Sequence, residues 1–253
     1  MSLDSQWFYL MLFALVSFLA FLAASFAFKS SISLPLSVST KNEWLYFNIL
    51  ISFLHACISG VWSVYCFVDN PEMLHDVTKG WSLSSTYLLT FLVGYTLHDT
   101  LDIVVHDFRG SPGLIVHHIV IITVAVFVLY IKQFLPFATS LCVIEFNSVF
   151  LHLRRLMRFH GIERSQFVYK LNLVALFGTY IALRFVFLVW CTALYVREGH
   201  KTYLPYFLVG VIGYVALIVI NVTLFSQLWK MEFMVKTPRN GDCCNGSVQE
   251  KFN

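Results

Sequence analysis

The chain has 253 residues, of which 58% are apolar and 12% are charged, and its formal net charge is +3. Soluble domains average about 45–50% apolar and about 25% charged residues, so a soluble globular protein and a disordered chain are both excluded. The small net charge does not favour a polyanionic partner, and we expect no nucleic-acid binding. The six cysteines have neither zinc-site nor paired-bridge spacing. The composition therefore predicts a polytopic membrane protein.

Long apolar runs with few charges occur seven times along the chain. A helix needs about 20 apolar residues to cross a hydrocarbon core of roughly 30 Å. The first run has no basic segment before it and is long for a signal peptide, which favours an uncleaved helix. The sequence thus predicts an all-α, multi-pass bundle of about seven transmembrane helices. The predicted spans are residues 5–28, 44–68, 81–105, 113–131, 134–153, 171–196 and 203–228.

Basic residues are divided unequally between the two sides of this predicted bundle. Twelve of the 17 Lys and Arg residues fall on the side that holds segment 154–170 and the C-terminal tail, four fall on the other side, and Arg184 falls within a span. The positive-inside rule then predicts that the N-terminus is outside and the C-terminus is cytosolic. We expect Arg154, Arg155 and Arg158 to contact anionic lipid headgroups on the cytosolic side.

The chain divides into three predicted parts. Residues 1–39 contain the first span and a cytosolic linker, and residues 40–230 contain the other six spans. Residues 231–253 form a polar cytosolic tail that we expect to be flexible. The adjacent Cys243 and Cys244 in this tail are a candidate palmitoylation site.

Several ionisable and polar side chains lie within the predicted spans, where a charge at the bilayer centre costs from about 2.5 to more than 10 kcal/mol. In the third span His98 and Asp102 are four residues apart, and Asp99 shares their edge of the helix. In the fourth span His117 and His118 are adjacent, and both can border one cavity. Their positions along the predicted spans place most of these groups in the cytosolic half of the membrane, which predicts a polar chamber there. The remaining chamber residues are Glu145, Asn147, His152 and Arg184.

Most of these groups also have a purely structural explanation. His98 could serve only as a hydrogen-bonding group between helices, and we expect His55, on a serine-rich edge of the second span, to serve packing. Asp99 and Asp102 could pair with Arg184 and neutralise it. The double histidine of the fourth span is harder to explain in this way, because packing rarely needs two imidazoles at one level.

Four stretches of the chain resemble the TLC-domain family, which includes ceramide synthases and translocating-chain-associated membrane proteins. The resemblance covers about residues 40–230 and is closest to the small branch of membrane-fluidity regulators, TLC domain-containing proteins 1 and 2. It implies a multi-span TLC fold whose chamber is lined by the polar residues above, with residues 40–230 as the TLC domain. The resembling stretches are Trp44–Trp62, Gly94–Val104, Val116–His118 and Glu145–Arg154.

For that branch the resemblance implies a regulator of the phospholipid composition of the plasma membrane. Such a protein limits the incorporation of long-chain polyunsaturated acyl chains into phospholipids and makes the membrane more rigid. The implied partners are membrane phospholipids or their acyl chains, and no cofactor is expected. The sequence does not identify a protein partner.

The same resemblance also implies an alternative, because the equivalent double histidine of ceramide synthases is catalytic in acyl transfer from acyl-CoA. Carried over, His117 or His118 would be the nucleophile or base, the other imidazole would orient it, and acyl-CoA would be the co-substrate. Ceramide synthases also have a His-Asp-x-x-Asp motif on the following span, where this chain has Glu145 to Ser148 instead. The family pattern therefore leaves open whether the chain is an enzyme.

Two further classes fit the sequence less well. A di-iron lipid desaturase needs several histidine boxes of the HxxxH and HxxHH types, whereas only the double histidine resembles part of one, and we expect no metal site. A seven-helix receptor would have an acidic-Arg-Tyr ending on its third span, where Val104–Asp107 stands here, and a proline kink in its seventh span, which this sequence does not have.

Overall fold

A computed structural model describes residues 3–39 and 42–234 of the chain. Within these residues the secondary structure is helical, with no strand, and seven helical segments are long and apolar enough to cross a membrane. This confirms the predicted multi-pass, all-α architecture. The α-helices are α1 (Leu3–Ser31), α2 (Glu43–Asp69), α3 (Leu83–Asp107), α4 (Pro112–Ile131), α5 (Leu135–Cys142), α6 (Glu145–Phe159), α7 (Phe167–Thr179), α8 (Leu188–Gly199) and α9 (Leu204–Trp229).

Two of the seven spans are interrupted within their length by a segment that is not α-helical. The fifth span consists of α5 and α6, which are separated by a short turn at residues 143–144. The sixth consists of α7 and α8 joined by a π-helical segment, Tyr180–Phe187. Wider turns of this kind are rare inside α-helices and occur frequently at functional sites. Hydropathy alone does not reveal either irregularity, because the apolar pattern continues through both.

Local sequence signals explain several helix ends. The Ser82 side chain accepts a hydrogen bond from the Ser85 backbone N–H at 3.4 Å and caps α3. Helix α4 begins at Pro112, as the Ser-Pro-Gly sequence predicts, because proline suits the first helical turn. Lys132 and Phe134 have φ angles of 54° and 64° and turn the chain sharply between α4 and α5. Helix α4 contacts the short helix α5 after this turn but has no extensive contact with α6, so the fourth and fifth spans are not the tight antiparallel pair that the short connection predicts.

Helix α3 lies at the centre of the bundle and packs on α1, α2, α4 and α5. Its contact with α1 is the most extensive between any two of the described helices. At the closest point of this contact Gly94 faces the Ala14 carbonyl and the Ser17 side chain, and a Cβ atom at Gly94 would overlap both. Small residues allow close approach of helices in membranes, where no hydrophobic effect drives them together.

The largest apolar cluster lies at one end of the bundle, where α2 ends and α3 and α9 begin. It contains the buried side chains of Cys66, Leu88, Leu135, Tyr195 and Tyr214, which come from five different helices. We call the other end the basic end; it is formed by the α1–α2, α3–α4 and α6–α7 connections and by the end of α9. The apolar cluster fixes the relative positions of the helices, and the polar side chains of the spans lie farther toward the basic end.

At the basic end the buried side chain of Arg154 forms an ion pair with Glu232, which lies in a π turn that follows α9 (Lys230–Met234). The Tyr169 hydroxyl donates to Oε1 of Glu232 at 3.0 Å, and Nε of Arg164 lies 3.7 Å from Oε2. The prediction that Arg154 contacts lipid headgroups is therefore wrong. Its charge is used to fix the end of α9 against α6, because a buried carboxylate needs a partner.

The predicted tail lies mostly beyond the described part of the chain. Its first residues, 231–234, continue the last span as the π turn that carries Glu232. Residues 235–253, including Cys243 and Cys244, are outside the described residues, so the palmitoylation site stays a prediction.

The close approach of α1 and α3 can be tested by replacing Gly94 with alanine. Overpacking of this kind costs about 1–3 kcal/mol, so we expect Gly94→Ala to lower the thermal unfolding midpoint of the purified protein in detergent. The control is Gly178→Ala on the exposed side of α7, where a Cβ atom would meet nothing within 4 Å. An unchanged midpoint for Gly94→Ala would show that α1 does not pack on α3 in this way.

Candidate functional site

Two carboxylates of α3 share one amide of α2. Nδ2 of Asn48 donates to Oδ1 of Asp99 at 2.6 Å and to Oδ2 of Asp102 at 2.9 Å. The two aspartates are three residues apart on α3, so both reach the same neighbouring helix. Asp99 and Asp102 of the predicted polar edge therefore face α2, and the amide provides one N–H to each carboxylate.

Asp99 is the centre of this arrangement and is 5% exposed. Besides the Asn48 amide, its carboxylate accepts a hydrogen bond from the Tyr95 hydroxyl at 3.2 Å, and Nε2 of His118 on α4 lies 3.4 Å away. We call Asn48, Tyr95, Asp99, Asp102 and His118 the carboxylate network. It joins α2, α3 and α4, and its buried members lie in the half of the bundle nearer the basic end.

The two adjacent histidines of α4 have different surroundings. His118 is 5% exposed, and its Nδ1 lies 3.0 Å from the Thr100 hydroxyl while its Nε2 faces Asp99. The His117 ring centre is 5.9 Å from that of His118, and Nδ1 of His117 is buried with no hydrogen-bond partner among the described residues. The groups that hold His118 in this structure are thus Asp99 and Thr100, and not the second imidazole.

His98 points away from the carboxylate network toward α1. Its Nε2 lies 3.2 Å from the Ser25 hydroxyl, and its ring contacts the rings of Phe18 and Phe21. Nδ1 of His98 is buried without a hydrogen-bond partner in the described part of the chain. Adjacent residues of a helix project about 100° apart, which explains why His98 and Asp99 face different helices.

Arg184 belongs to a second polar cluster, which is placed by the π-helical segment. Its Nη1 donates to Oδ1 of Asn221 on α9 at 2.7 Å, and its Nη2 donates to the Ser148 hydroxyl on α6 at 2.9 Å. The alternative in which Asp99 and Asp102 neutralise Arg184 is therefore wrong. Glu145, which follows the turn between α5 and α6, is near enough to Arg184 for their charges to attract, although the two side chains are not at ion-pair distance.

Asn147 and His152, the other predicted chamber residues of the fifth span, have separate roles. The fully buried Asn147 donates from Nδ2 to the Leu176 carbonyl and to the Thr179 hydroxyl, both at 2.9 Å, and so ties α6 to α7. His152 lies close enough to Arg184 to interact electrostatically, and its Nδ1 is buried without a partner among the described residues. Asn147 therefore supports the helix packing, whereas His152 extends the polar region toward Arg184.

Several members of the site cannot be selected from the sequence alone. Asn48, Tyr95, Thr100 and Asn221 are not among the chamber residues that the sequence predicts. His55 stacks on Tyr95 with ring centres 3.6 Å apart, which agrees with its expected packing role. An amide in an apolar span is the signal that could have identified Asn48 and Asn221, because buried amides need partners.

The chemistry available at this site is that of imidazole and carboxylate groups. Within residues 3–39 and 42–234, no three His, Cys, Asp or Glu side chains are close enough together to hold a metal ion. A carboxylate beside an imidazole, as in Asp99 and His118, orients the ring and stabilises its protonated form. Such a pair can bind a polar lipid group or transfer a proton.

A family model described as the TLC domain matches residues 46–230, which include the whole carboxylate network together with Arg184 and Asn221. The chain belongs to the TLC-domain family. TLC domain-containing protein 2 of Danio rerio is 34% identical over 212 residues, which cover 83% of this chain and 85% of that protein. TLC domain-containing protein 1 of Homo sapiens is 28% identical over 205 residues, which cover 79% and 82%.

The human TLC domain-containing protein 2 is 25% identical over 230 residues, which cover 90% of this chain and 86% of that protein. These relatives, TLC domain-containing proteins 1 and 2, form the branch that the sequence motifs resemble. Family membership and the seven membrane-spanning helices together support a lipid-related role in a membrane.

The role of the Asn48 amide can be tested by removing it. In Asn48→Ala both aspartates lose a hydrogen bond inside the bundle, and we expect a loss of stability of about 1–3 kcal/mol, measured as a lower unfolding midpoint in detergent. Adding Asp102→Asn to this variant should recover part of the loss, because it removes one of the two facing charges. A fully stable Asn48→Ala protein would contradict the shared-amide geometry.

Proposed function

We propose that this protein regulates the phospholipid composition and fluidity of the plasma membrane. In this proposal it limits the incorporation of long-chain polyunsaturated acyl chains into phospholipids and so promotes membrane rigidity. The observation that carries the proposal is the carboxylate network, which is buried between α2, α3 and α4 within the matched TLC domain. The specific lipid effect follows from the resemblance to the branch of TLC domain-containing proteins 1 and 2.

The energetics of the membrane support a functional role for this network. Apolar packing would hold three helices together at lower cost, because a carboxylate in the bilayer has a large desolvation penalty. Asp99 is nevertheless held by Asn48 and Tyr95 and lies beside His118. In this proposal the imidazole and the two carboxylates of the network distinguish lipids by their polar groups.

A second candidate function is acyl transfer from acyl-CoA, and one observation favours it. Both ring nitrogens of His118 face other side chains, whereas Nδ1 of His117 has no partner among the described residues. His117 would then be the base that takes a proton from the acyl acceptor, and the acceptor would attack the thioester carbon. The C–S bond would break, and the CoA thiolate would take up a proton.

The two functions can be separated in cells that lack the protein and are fed polyunsaturated fatty acid. The chain length and unsaturation of phospholipid acyl chains are measured by mass spectrometry after rescue with each variant. We expect the wild type to lower polyunsaturated phospholipid, and His118→Ala and Asp99→Asn to lose most of this effect. His200→Ala is the matched control, because His200 is exposed at the opposite end of the bundle.

His117→Ala decides between the two candidates. Regulation through the carboxylate network predicts that this variant still rescues, because His117 is not part of the network. Acyl transfer predicts that it fails as completely as His118→Ala. If all equally expressed variants rescue, the network is not the functional site, and if the wild type has no effect, the proposed function is wrong.

A further inference from the structure

A small cleft lies between α1, α2 and α3 near the basic end of the bundle. Its volume is about 70 Å³, and its lining includes Lys29, Trp44, Asn48, His98 and Asp102. Lys29 is exposed at the mouth, in the last turn of α1, whereas His98 is 5% exposed at the inner end. The cleft therefore leads from the bundle surface to the edge of the carboxylate network.

The inner part of the cleft offers hydrogen-bond acceptors. Asp102 has a 21% exposed side chain, and its nearest donors are the neutral Asn48 amide and the His106 ring, 3.2 Å from Oδ1. Its charge is therefore not cancelled by a lysine or arginine at ion-pair distance among the described residues. The buried His98 contributes Nδ1, which has no hydrogen-bond partner in the described part of the chain. A positively charged group would be stabilised by the Asp102 carboxylate, and one that also has an N–H donor would satisfy Nδ1 of His98.

The mouth of the cleft, in contrast, has a positive charge and an apolar surface. Lys29 is exposed there, and Trp44, which also lines the cleft, stacks on the His106 ring with centres 5.3 Å apart. Aromatic rings stabilise alkylammonium groups through their electron-rich faces. Phe26, 67% exposed on α1, continues the cleft onto the outer surface of the bundle. From the inside outward, the cleft thus presents a carboxylate, an aromatic ring, a cation and an apolar surface.

We propose that this cleft binds the headgroup of a zwitterionic phospholipid. The ammonium group lies against Asp102, the phosphate lies against Lys29, and the acyl chains follow the apolar surface of α1 at Phe26. The order of these groups along a phospholipid matches their order along the cleft. The inference rests on the proposed function for its biological purpose, since it names the lipid class that the protein would recognise.

Charge and size distinguish this ligand from other lipids. An anionic headgroup without an ammonium would be attracted to Lys29 but would leave Asp102 facing an uncharged group. The volume of the cleft, about 70 Å³, suits a small headgroup such as an alkylammonium. Because Asn48 contacts both Asp102 and Asp99, a cation bound at Asp102 also changes the electrostatic field at Asp99 and therefore at His118.

The test uses the purified full chain in detergent and phospholipids with one fluorescent acyl chain. The probes are phosphatidylcholine, phosphatidylethanolamine and phosphatidylglycerol, of which the last has the phosphate but no ammonium. We expect the better of the two zwitterionic lipids to bind about tenfold more tightly than phosphatidylglycerol. The ratio between phosphatidylcholine and phosphatidylethanolamine shows whether a quaternary or a primary ammonium fits the cleft.

Two substitutions separate the contribution of the headgroup ammonium to binding from that of the phosphate. Asp102→Asn should reduce the affinity for the zwitterionic lipids to that for phosphatidylglycerol, without weakening phosphatidylglycerol itself. Lys29→Gln should weaken all three lipids by a similar factor, because each has a phosphate. Asp107→Asn is the matched control: it is the same change on the same helix, and Asp107 accepts a hydrogen bond from Ser111 outside the cleft.

Equal affinity of the wild type for all three lipids would overturn the proposal, as would an Asp102→Asn variant that retains the preference. If Asp102→Asn does not fold, Lys29→Glu at the exposed mouth replaces it, and unchanged binding by that variant would also overturn the proposal. These measurements do not depend on cellular lipid profiles. A failure of headgroup recognition therefore leaves the proposed function standing, and a failure of that function leaves the binding result standing.

Discussion

A carboxylate inside a membrane bundle must find its donors within the protein, because the lipid hydrocarbon offers none. Asp99 meets this requirement through Asn48 of α2, Tyr95 of its own helix and His118 of α4. The three helices are thereby held in one register, since a shift of α2 or α4 relative to α3 would break one of these contacts. The same Asn48 amide serves Asp102, so the register also positions the carboxylate that lines the cleft.

The irregular sixth span meets a similar requirement for Arg184, whose charged side chain also needs partners inside the bundle. The wide turns of the segment Tyr180–Phe187 bring Arg184 within hydrogen-bond distance of Asn221 and Ser148, which are on different helices. Tyr180, in the same segment, donates to the Asn221 carbonyl at 2.8 Å and lies under the Arg184 guanidinium. The hydrogen-bond partners of Arg184 are uncharged and do not neutralise its guanidinium. The positive charge therefore acts on nearby polar groups such as Glu145.

Hydropathy was sufficient to predict the seven spans, because crossing a membrane imposes a minimum apolar length that any sequence must meet. The polar residues of the site were also visible as exceptions to that apolarity. Their partners were not, because periodicity shows only which face of its own helix a residue occupies. His98 and Asp102 share one edge of α3, yet His98 meets Ser25 of α1 while Asp102 meets Asn48 of α2. Likewise, the basic run containing Arg154 suggested a surface, whereas its partner Glu232 is 78 residues away.

The two candidate functions share one structural element. The hydrogen-bonded path from Asp102 through Asn48 to Asp99 leads to His118, so lipid recognition at the cleft and imidazole chemistry at α4 would use the same carboxylates. A regulator needs this path as far as His118, because a headgroup bound at Asp102 then alters the balance of charge between α2, α3 and α4. An acyltransferase needs in addition a substrate beside the adjacent His117. Both need Asn48, because it is the amide through which the two aspartates are connected.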